Sequence, residues 1–97
     1  MRFQIEFTPS SEKDIEYFKK HEQKIILAGI RKYLSEDANV ETKRKKQLRP
    51  NPFAPWELRI GDYRIFYDFE EKDSVKITAI GFKIHHELFI RGKRVEI

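Results

Sequence analysis

Arg59 and Arg64 are spaced so that two guanidinium groups could share one anion. They flank Gly61-Asp62 in the run Trp56-Glu57-Leu58-Arg59-Ile60-Gly61-Asp62-Tyr63-Arg64-Ile65-Phe66-Tyr67. Apolar and polar residues alternate on both sides of a two-residue turn with glycine first, the pattern of a II′ β-hairpin. That hairpin sets Arg59 opposite Arg64, Leu58 opposite Ile65, Ile60 opposite Tyr63 and Trp56 opposite Tyr67. Trp56, Leu58, Ile60, Tyr63, Ile65 and Tyr67 then share an apolar face, and Glu57, Arg59, Arg64 and Phe66 share the other. Like charges directly opposite each other on a sheet cost stability. An anion held between them offsets that cost, and the basic residues nearby point to phosphate.

The charge distribution supports the same reading. The net charge is +4, from 20 Lys and Arg against 16 Asp and Glu. Between Glu41 and Arg64, Lys43, Arg44, Lys45, Lys46, Arg49, Arg59 and Arg64 stand against Glu41, Glu57 and Asp62, so this stretch carries the whole excess. Such clustering is the footprint of a polyanion binder; a solvated basic loop is the alternative. The absence of cysteine excludes disulfides, thiolate metal sites and cysteine nucleophiles. Two adjacent histidines, His85 and His86, have no nearby ligand set to complete a metal site, so no metal or cofactor is expected. No apolar run has the length of a signal peptide or a membrane span, so the cytoplasm is the expected compartment and no membrane partner is expected.

The elements that position these residues follow from periodicity. The 97 residues make one domain, 1–97, large enough for a single core. Phe3, Ile5 and Phe7 alternate with polar neighbours as a first strand. Ser11 and Asp14 resemble a capping box opening a short helix with Ile15 and Phe18 on its apolar side. Lys19-Lys20-His21-Glu22 is expected to bend the chain. A second helix follows, with Ile26, Ile30, Tyr33 and Leu34 at helical spacing. Gly29 inside it costs about 1 kcal/mol relative to alanine and marks a close contact. Pro50, Pro52 and Pro55 leave no regular element from Arg49 to Pro55. After the hairpin, Val75, Ile77 and Ala79 alternate in a strand running to about Lys83. Leu88-Phe89-Ile90 then forms a short edge strand that Val95 and Ile97 continue. The fold class is α+β: an N-terminal strand, an antiparallel helical hairpin, then a three- to four-stranded, mostly antiparallel sheet.

This order, together with Leu48-Arg49, Trp56-Glu57-Leu58-Arg59, Gly61-Asp62-Tyr63-Arg64-Ile65-Phe66-Tyr67 and Ala79-Ile80-Gly81-Phe82-Lys83, resembles the RelE/ParE superfamily of bacterial toxin–antitoxin toxins over essentially the whole chain. RelE-type members cleave messenger RNA on the ribosome without metal, ParE-type members inhibit DNA gyrase, and both are held inactive by an antitoxin. The resemblance therefore implies an acidic antitoxin as partner. It further implies messenger RNA and the ribosome as partners if the chain is RelE-like. It places Arg64 on the arginine that contacts the scissile phosphate and Lys83 near a second basic catalytic position. Glu57 stands where some relatives have lysine, Phe89 about where they have tyrosine, and His85 and His86 where others use histidine for proton transfer.

Metal-free RNA cleavage needs a base for the 2′-hydroxyl, cations for the phosphorane, and an acid for the leaving 5′-oxygen. Arg64, Arg59 and Lys83 are the expected cations. His86 or His85 suits proton transfer, and Glu57 is a possible base. Lys43, Arg44, Lys45, Lys46 and Arg49 are expected to contact backbone phosphates or the antitoxin, and Phe66 to stack on a base. The leading reading is an endoribonuclease toxin that inhibits translation. The alternatives are a gyrase inhibitor, or an inactive homologue that only binds its antitoxin.

Overall fold

The computed structural model describes residues 2–96. In chain order the elements are β1 (Gln4–Phe7), α1 (Pro9–Glu16), α2 (Lys20–Leu34), β2 (Lys45–Gln47), β3 (Trp56–Ile60), β4 (Tyr63–Glu71), β5 (Ser74–Ile84), β6 (Glu87–Ile90) and β7 (Lys93–Val95). Two helices and a mostly antiparallel sheet give the expected α+β class. The sheet runs β2-β3-β4-β5-β6-β7, with β1 alongside β5 in parallel. It is wider than three or four strands. The added strands are short: Lys45-Lys46-Gln47 contains no apolar residue and Lys93-Arg94-Val95 only one, too little for alternation to register. Ile97, expected to extend the last edge strand, lies outside the described residues.

The β3–β4 hairpin has the register its alternation dictates, with Arg59 opposite Arg64, Leu58 opposite Ile65 and Trp56 opposite Tyr67. Gly61 takes φ 56° in the turn, where any side chain would be strained. Trp56, Leu58, Ile65 and Tyr67 join Val75, Ile77 and Ile80 beneath Phe18, Ile26, Ile30 and Leu34. Each large apolar side chain buried in this core contributes about 1.5–3 kcal/mol. Gly29 lets α2 approach the sheet, since a Cβ there would overlap the Ile60 side chain. Tyr67 is fully buried and donates to the Ala38 carbonyl at 2.8 Å; burial pushes its phenol above the usual range.

The helix starts differ from expectation. The α1 cap is Thr8, whose Oγ1 accepts the Ser11 amide at 3.1 Å, with Pro9 in the first turn. Ser11 is buried instead, its hydroxyl donating to the Thr8 carbonyl. The bend falls at residues 17–19, and Lys20-His21-Glu22 opens α2, where the Glu22 carboxylate accepts the Lys19 amide at 3.2 Å. A first turn of a helix needs no apolar residue when a carboxylate satisfies a free amide.

A second, smaller core forms on the sheet face away from the helices. Ala54, Phe66, Ala79 and Leu88 are buried there, flanked by Leu48, Phe53, Ile90 and Val95. The proline-rich loop covers it and is held by Asn51. Its side-chain amide donates to the Arg49 and Ala54 carbonyls, both at 2.8 Å, and its oxygen accepts the Phe53 and Ala54 amides at 2.8 and 3.1 Å. One side chain thus satisfies backbone groups in a loop where three residues are proline. At Gly81, β6 comes so close that a Cβ would strike the Phe89 carbonyl oxygen.

One edge of β5 is divided. β1 pairs with Ser74–Ile77 and β6 with Phe82–Ile84, so residues 78–80 have no ladder partner on that edge. The Ile80 amide in this gap donates to Asp14 Oδ2 at 3.0 Å, and Asp14 Oδ1 meets Arg91 Nε at 3.0 Å. Asp14 is 1% exposed. Desolvation raises its pKa, against the lowering effect of the Ile80 amide and Arg91.

Two outcomes follow. Gly81→Ala should destabilise the protein by about 1–3 kcal/mol, read as a lower urea midpoint at unchanged slope; an unchanged midpoint contradicts the close approach. Because the folded pKa of Asp14 is raised, the stability it contributes is complete below its unfolded pKa and declines as pH rises through the folded value. Asp14→Asn keeps an acceptor for Ile80, so its urea stability should lose that decline. A pH–stability curve identical to wild type contradicts it.

Candidate functional site

The cations expected to converge on the β3–β4 hairpin each have a partner in the protein. Arg59 Nε donates to Glu57 Oε1 at 2.9 Å; the Arg59 side chain is 43% exposed and that of Glu57 3%. A buried carboxylate keeps its charge only with such a partner. Arg64 instead turns back on its own hairpin, and Nη1 donates to the Gly61 and Tyr63 carbonyls at 2.8 and 3.0 Å. Its Nε is buried without a hydrogen-bond partner. Desolvation lowers the Arg64 pKa; Glu57 counters this, Arg59 adds to it, and Asp62 counters it. The two guanidinium groups are therefore neighbours electrostatically, as the register requires, but they do not grip a common position. The correction has a physical cause: Glu57, on the same face two residues before Arg59, is closer to hand than a bound anion, and the turn supplies Arg64 with carbonyls.

Arg59 nevertheless faces an open groove of about 330 Å³, lined by Leu48, Arg49, Pro50, Asn51, Glu57, Arg59 and Lys83. Three elements build it. β3 contributes Glu57 and Arg59. The Asn51-pinned loop contributes Arg49. Lys83 comes from β5: Gly81 pairs with Arg64, and alternation puts Lys83 on the same face two residues on. The Lys83 amide donates to the Asp62 carbonyl at 2.8 Å, which ties this end of β5 to the hairpin turn. Among the described residues, Arg59 uses only Nε in hydrogen bonds to protein, so its terminal nitrogens are available to a ligand. Three cations and one buried, Arg59-paired carboxylate line this groove, a charge pattern suited to a phosphodiester.

The histidines lie outside this groove. His85 and His86 form the β5–β6 turn with φ 51° and 70° and are exposed. His86, not His85, lines an adjacent cavity of about 270 Å³ whose wall also includes Lys83 and Arg94. Lys83 is thus common to both hollows. No group of three or more His, Asp or Glu able to hold a metal ion occurs among the described residues.

The basic run divides according to strand alternation. Lys45 pairs with Leu58 and faces the helices, and its Nζ is used internally on the Asp37 carbonyl at 2.7 Å. It is 6% exposed and so is corrected from a phosphate contact to a buried tie. Lys46 pairs with Glu57 on the groove face. Lys43 and Arg44 are exposed, with the Arg44 guanidinium 4.9 Å from the Tyr33 ring centroid. Phe66 is fully buried in the second core beside Phe53, ring centroids 5.4 Å apart, and cannot stack on a base from there. The sequence reading missed Asn51, whose place in a Pro-Asn-Pro run was its one signal, and the Asp14–Arg91 pair, which had none.

Comparisons with known proteins agree with this architecture. No curated protein matches the sequence significantly. The crystal structure of the toxin–antitoxin complex RelBE2 from Mycobacterium tuberculosis contains a chain that superimposes with a TM-score of 0.68 at 18% sequence identity. The match covers 86% of the present chain and 100% of that one, and at this identity it is a likeness of fold. The family model described as ParE toxin of type II toxin–antitoxin system, parDE, matches residues 5–83. With most of its length inside that match, the chain belongs to the ParE toxin family of type II toxin–antitoxin systems, part of the RelE/ParE superfamily.

Proposed function

We propose that this toxin is a metal-independent endoribonuclease that cleaves messenger RNA on the ribosome, and that an acidic antitoxin holds it inactive. The observation that carries the reading is the groove in which Arg49, Arg59 and Lys83 surround the buried Glu57 carboxylate. A phosphodiester seated there would have its non-bridging oxygens against Arg59 and Lys83. The substrate's 2′-hydroxyl then attacks phosphorus while Glu57 takes its proton. Negative charge gathering on the phosphorane is met by the fixed guanidinium and ammonium groups. The bond to the 5′-oxygen breaks, and that oxygen takes a proton from solvent, since the imidazoles of His85 and His86 lie outside the groove. Arg64 adds positive potential from behind the pair. Lys46 and Arg49 track the flanking phosphates, and ribosomal components hold the message in place, which reduces what the side chains must supply.

A second reading, gyrase inhibition without chemistry, is favoured by two observations: the parDE description of the matching family, and the exposed turn that keeps both imidazoles out of the groove. The two separate in one pair of assays. Purified toxin added to ribosomes programmed with a defined message should cut it and leave gyrase supercoiling unaffected. Intact message together with blocked supercoiling overturns the nuclease reading.

Arg59→Gln retains a donor for Glu57 but removes the charge, and should slow cleavage about 10²–10³-fold; it also leaves the buried Glu57 carboxylate without its cation and should lower the urea midpoint. Lys83→Gln should fall in the same range. Arg64→Gln should cost less than either, since its Nη1 serves the turn. Cleavage rates on the programmed ribosome check the order, and an Arg64 variant slower than the Arg59 variant refutes it.

A further inference from the structure

The two ends of the sheet differ in how their outer backbone groups are satisfied. β2 is one edge strand and β7 the other. At β2 the chain folds back over its own edge. Thr42 Oγ1 accepts the Lys45 amide at 3.1 Å, the Thr42 amide donates to the Lys45 carbonyl at 2.9 Å, and Glu41 Oε2 accepts the Gln47 amide at 3.4 Å. A strand approaching from that side finds these groups already used. Among the described residues nothing comparable covers β7, where Lys93, Arg94 and Glu96 are all exposed.

Which groups of β7 point outward follows from the turn before it. Arg91 and Gly92 have φ 49° and 76°, as in a type I′ turn, which closes on a hydrogen bond from the Lys93 amide to the Ile90 carbonyl. Along an antiparallel ladder, hydrogen-bonded and non-bonded pairs alternate. Ile90–Lys93 is thus bonded, Phe89–Arg94 non-bonded and Leu88–Val95 bonded again. Lys93 and Val95 direct their backbone groups to β6. Arg94 and Glu96 present theirs to solvent.

We infer that β7 pairs antiparallel with β7 of a second copy, about a two-fold axis between the two Val95 residues, joining two seven-stranded sheets into one. The choice of occupant rests on charge complementarity. Three registers bring the outward groups of Arg94 and Glu96 together. Arg94 opposite Arg94, or Glu96 opposite Glu96, sets like charges face to face, which is destabilising. The third sets Arg94 opposite Glu96 twice, with Val95 opposite Val95. Each Arg94–Glu96 pair then exchanges two backbone hydrogen bonds between opposite charges. On its own chain Arg94 is tied to Glu87 by Nη1 alone, at 3.4 Å, with both side chains more than half exposed. Its Nε and Nη2 are left for the carboxylate of the second copy. Val95 packs on the second core and lines a hollow on each side, of about 640 and 270 Å³. The Val95 pair is non-bonded, the position where opposing side chains come closest. Directly opposed residues share a face, so both Arg59 grooves lie on the same side of the joined sheet. The inference is independent of the nuclease reading.

The test is the oligomeric state of the whole chain, followed by sedimentation at rising concentration up to about 1 mM. Wild type should pass from the mass of one chain to that of two. Arg94→Glu and Glu96→Lys each set like charges opposite, and each alone should stay at the mass of one chain. Mixed in equal amounts, the two variants restore opposite charges at both pairs and should reach the mass of two. Both positions are exposed, so the variants keep the fold, which circular dichroism checks. In the wild-type dimer, hydrogen exchange should slow at the Arg94 and Glu96 amides and stay unchanged at Lys93 and Val95. A single-chain mass at every concentration means that the charges of β7 only protect an edge, and overturns the inference. A dimer that survives both single variants, a mixture that stays at one chain, or slowed exchange confined to other elements overturns it equally.

Discussion

A one-residue slip between β3 and β4 would put Arg59 and Glu57 under the helices and Leu58 in the groove. The strand period of two makes that exchange all or nothing, and the apolar side of the hairpin forbids it. Leu58, Ile65 and Tyr67 have no exposed surface, so the hydrophobic burial that folds the domain also fixes which side chains reach the other face. Register is therefore the constraint on which the candidate site depends. Lys46 meets Glu57 across β2–β3, Arg64 meets Gly81 across β4–β5, and Lys83 follows on the same face.

The second core decides how much of that face stays open. Phe66, Ala79 and Leu88 are covered by the loop that Asn51 pins and by the β6–β7 hairpin. Two hollows lie on either side of that loop, one around Glu57, Arg59 and Lys83 and one around Asp14 and Arg91. In both, an arginine Nε lies close to 3 Å from a buried carboxylate oxygen, as a hydrogen bond at Glu57 and as an ion pair without a hydrogen bond at Asp14. At Glu57 the hydrogen bond leaves part of the Arg59 guanidinium facing outward while its position is fixed, which is how a small domain without a deep interior can pre-organise a charge. The cost is a carboxylate that has to be satisfied there.

Much of this was legible in the residues. Alternation around Gly61-Asp62 specifies the hairpin and its register, helical spacing from Ile26 to Leu34 specifies the buried stripe of α2, and Gly29 marks the contact with Ile60. The prolines mark the loop. Three features were not legible, each for a physical reason. Phe66 sits on the polar side of an alternating strand, and the residues that bury it, Leu48, Phe53, Ile90 and Val95, are scattered without a period. Asp14 has the appearance of an ordinary first-turn helix acid, yet its partner amide is 66 residues away. Lys45 lies in a run of four cations whose members look equivalent until strand pairing turns one inward. Local pattern identifies faces; which parts of a face are later covered is a tertiary outcome.

The account stands or falls on whether the groove beside Glu57 is where a nucleic-acid backbone binds. The direct measurement is the salt dependence of single-stranded RNA affinity for wild type and for a toxin carrying Arg59→Gln and Lys83→Gln together. Each lost phosphate contact lowers the magnitude of the log–log slope by about 0.7. The double variant should therefore bind more weakly with a slope shallower by about 1.4, twice that amount for two contacts. A double variant with the wild-type slope would mean that these two cations meet no phosphate, and the groove would have to be given up as the functional site.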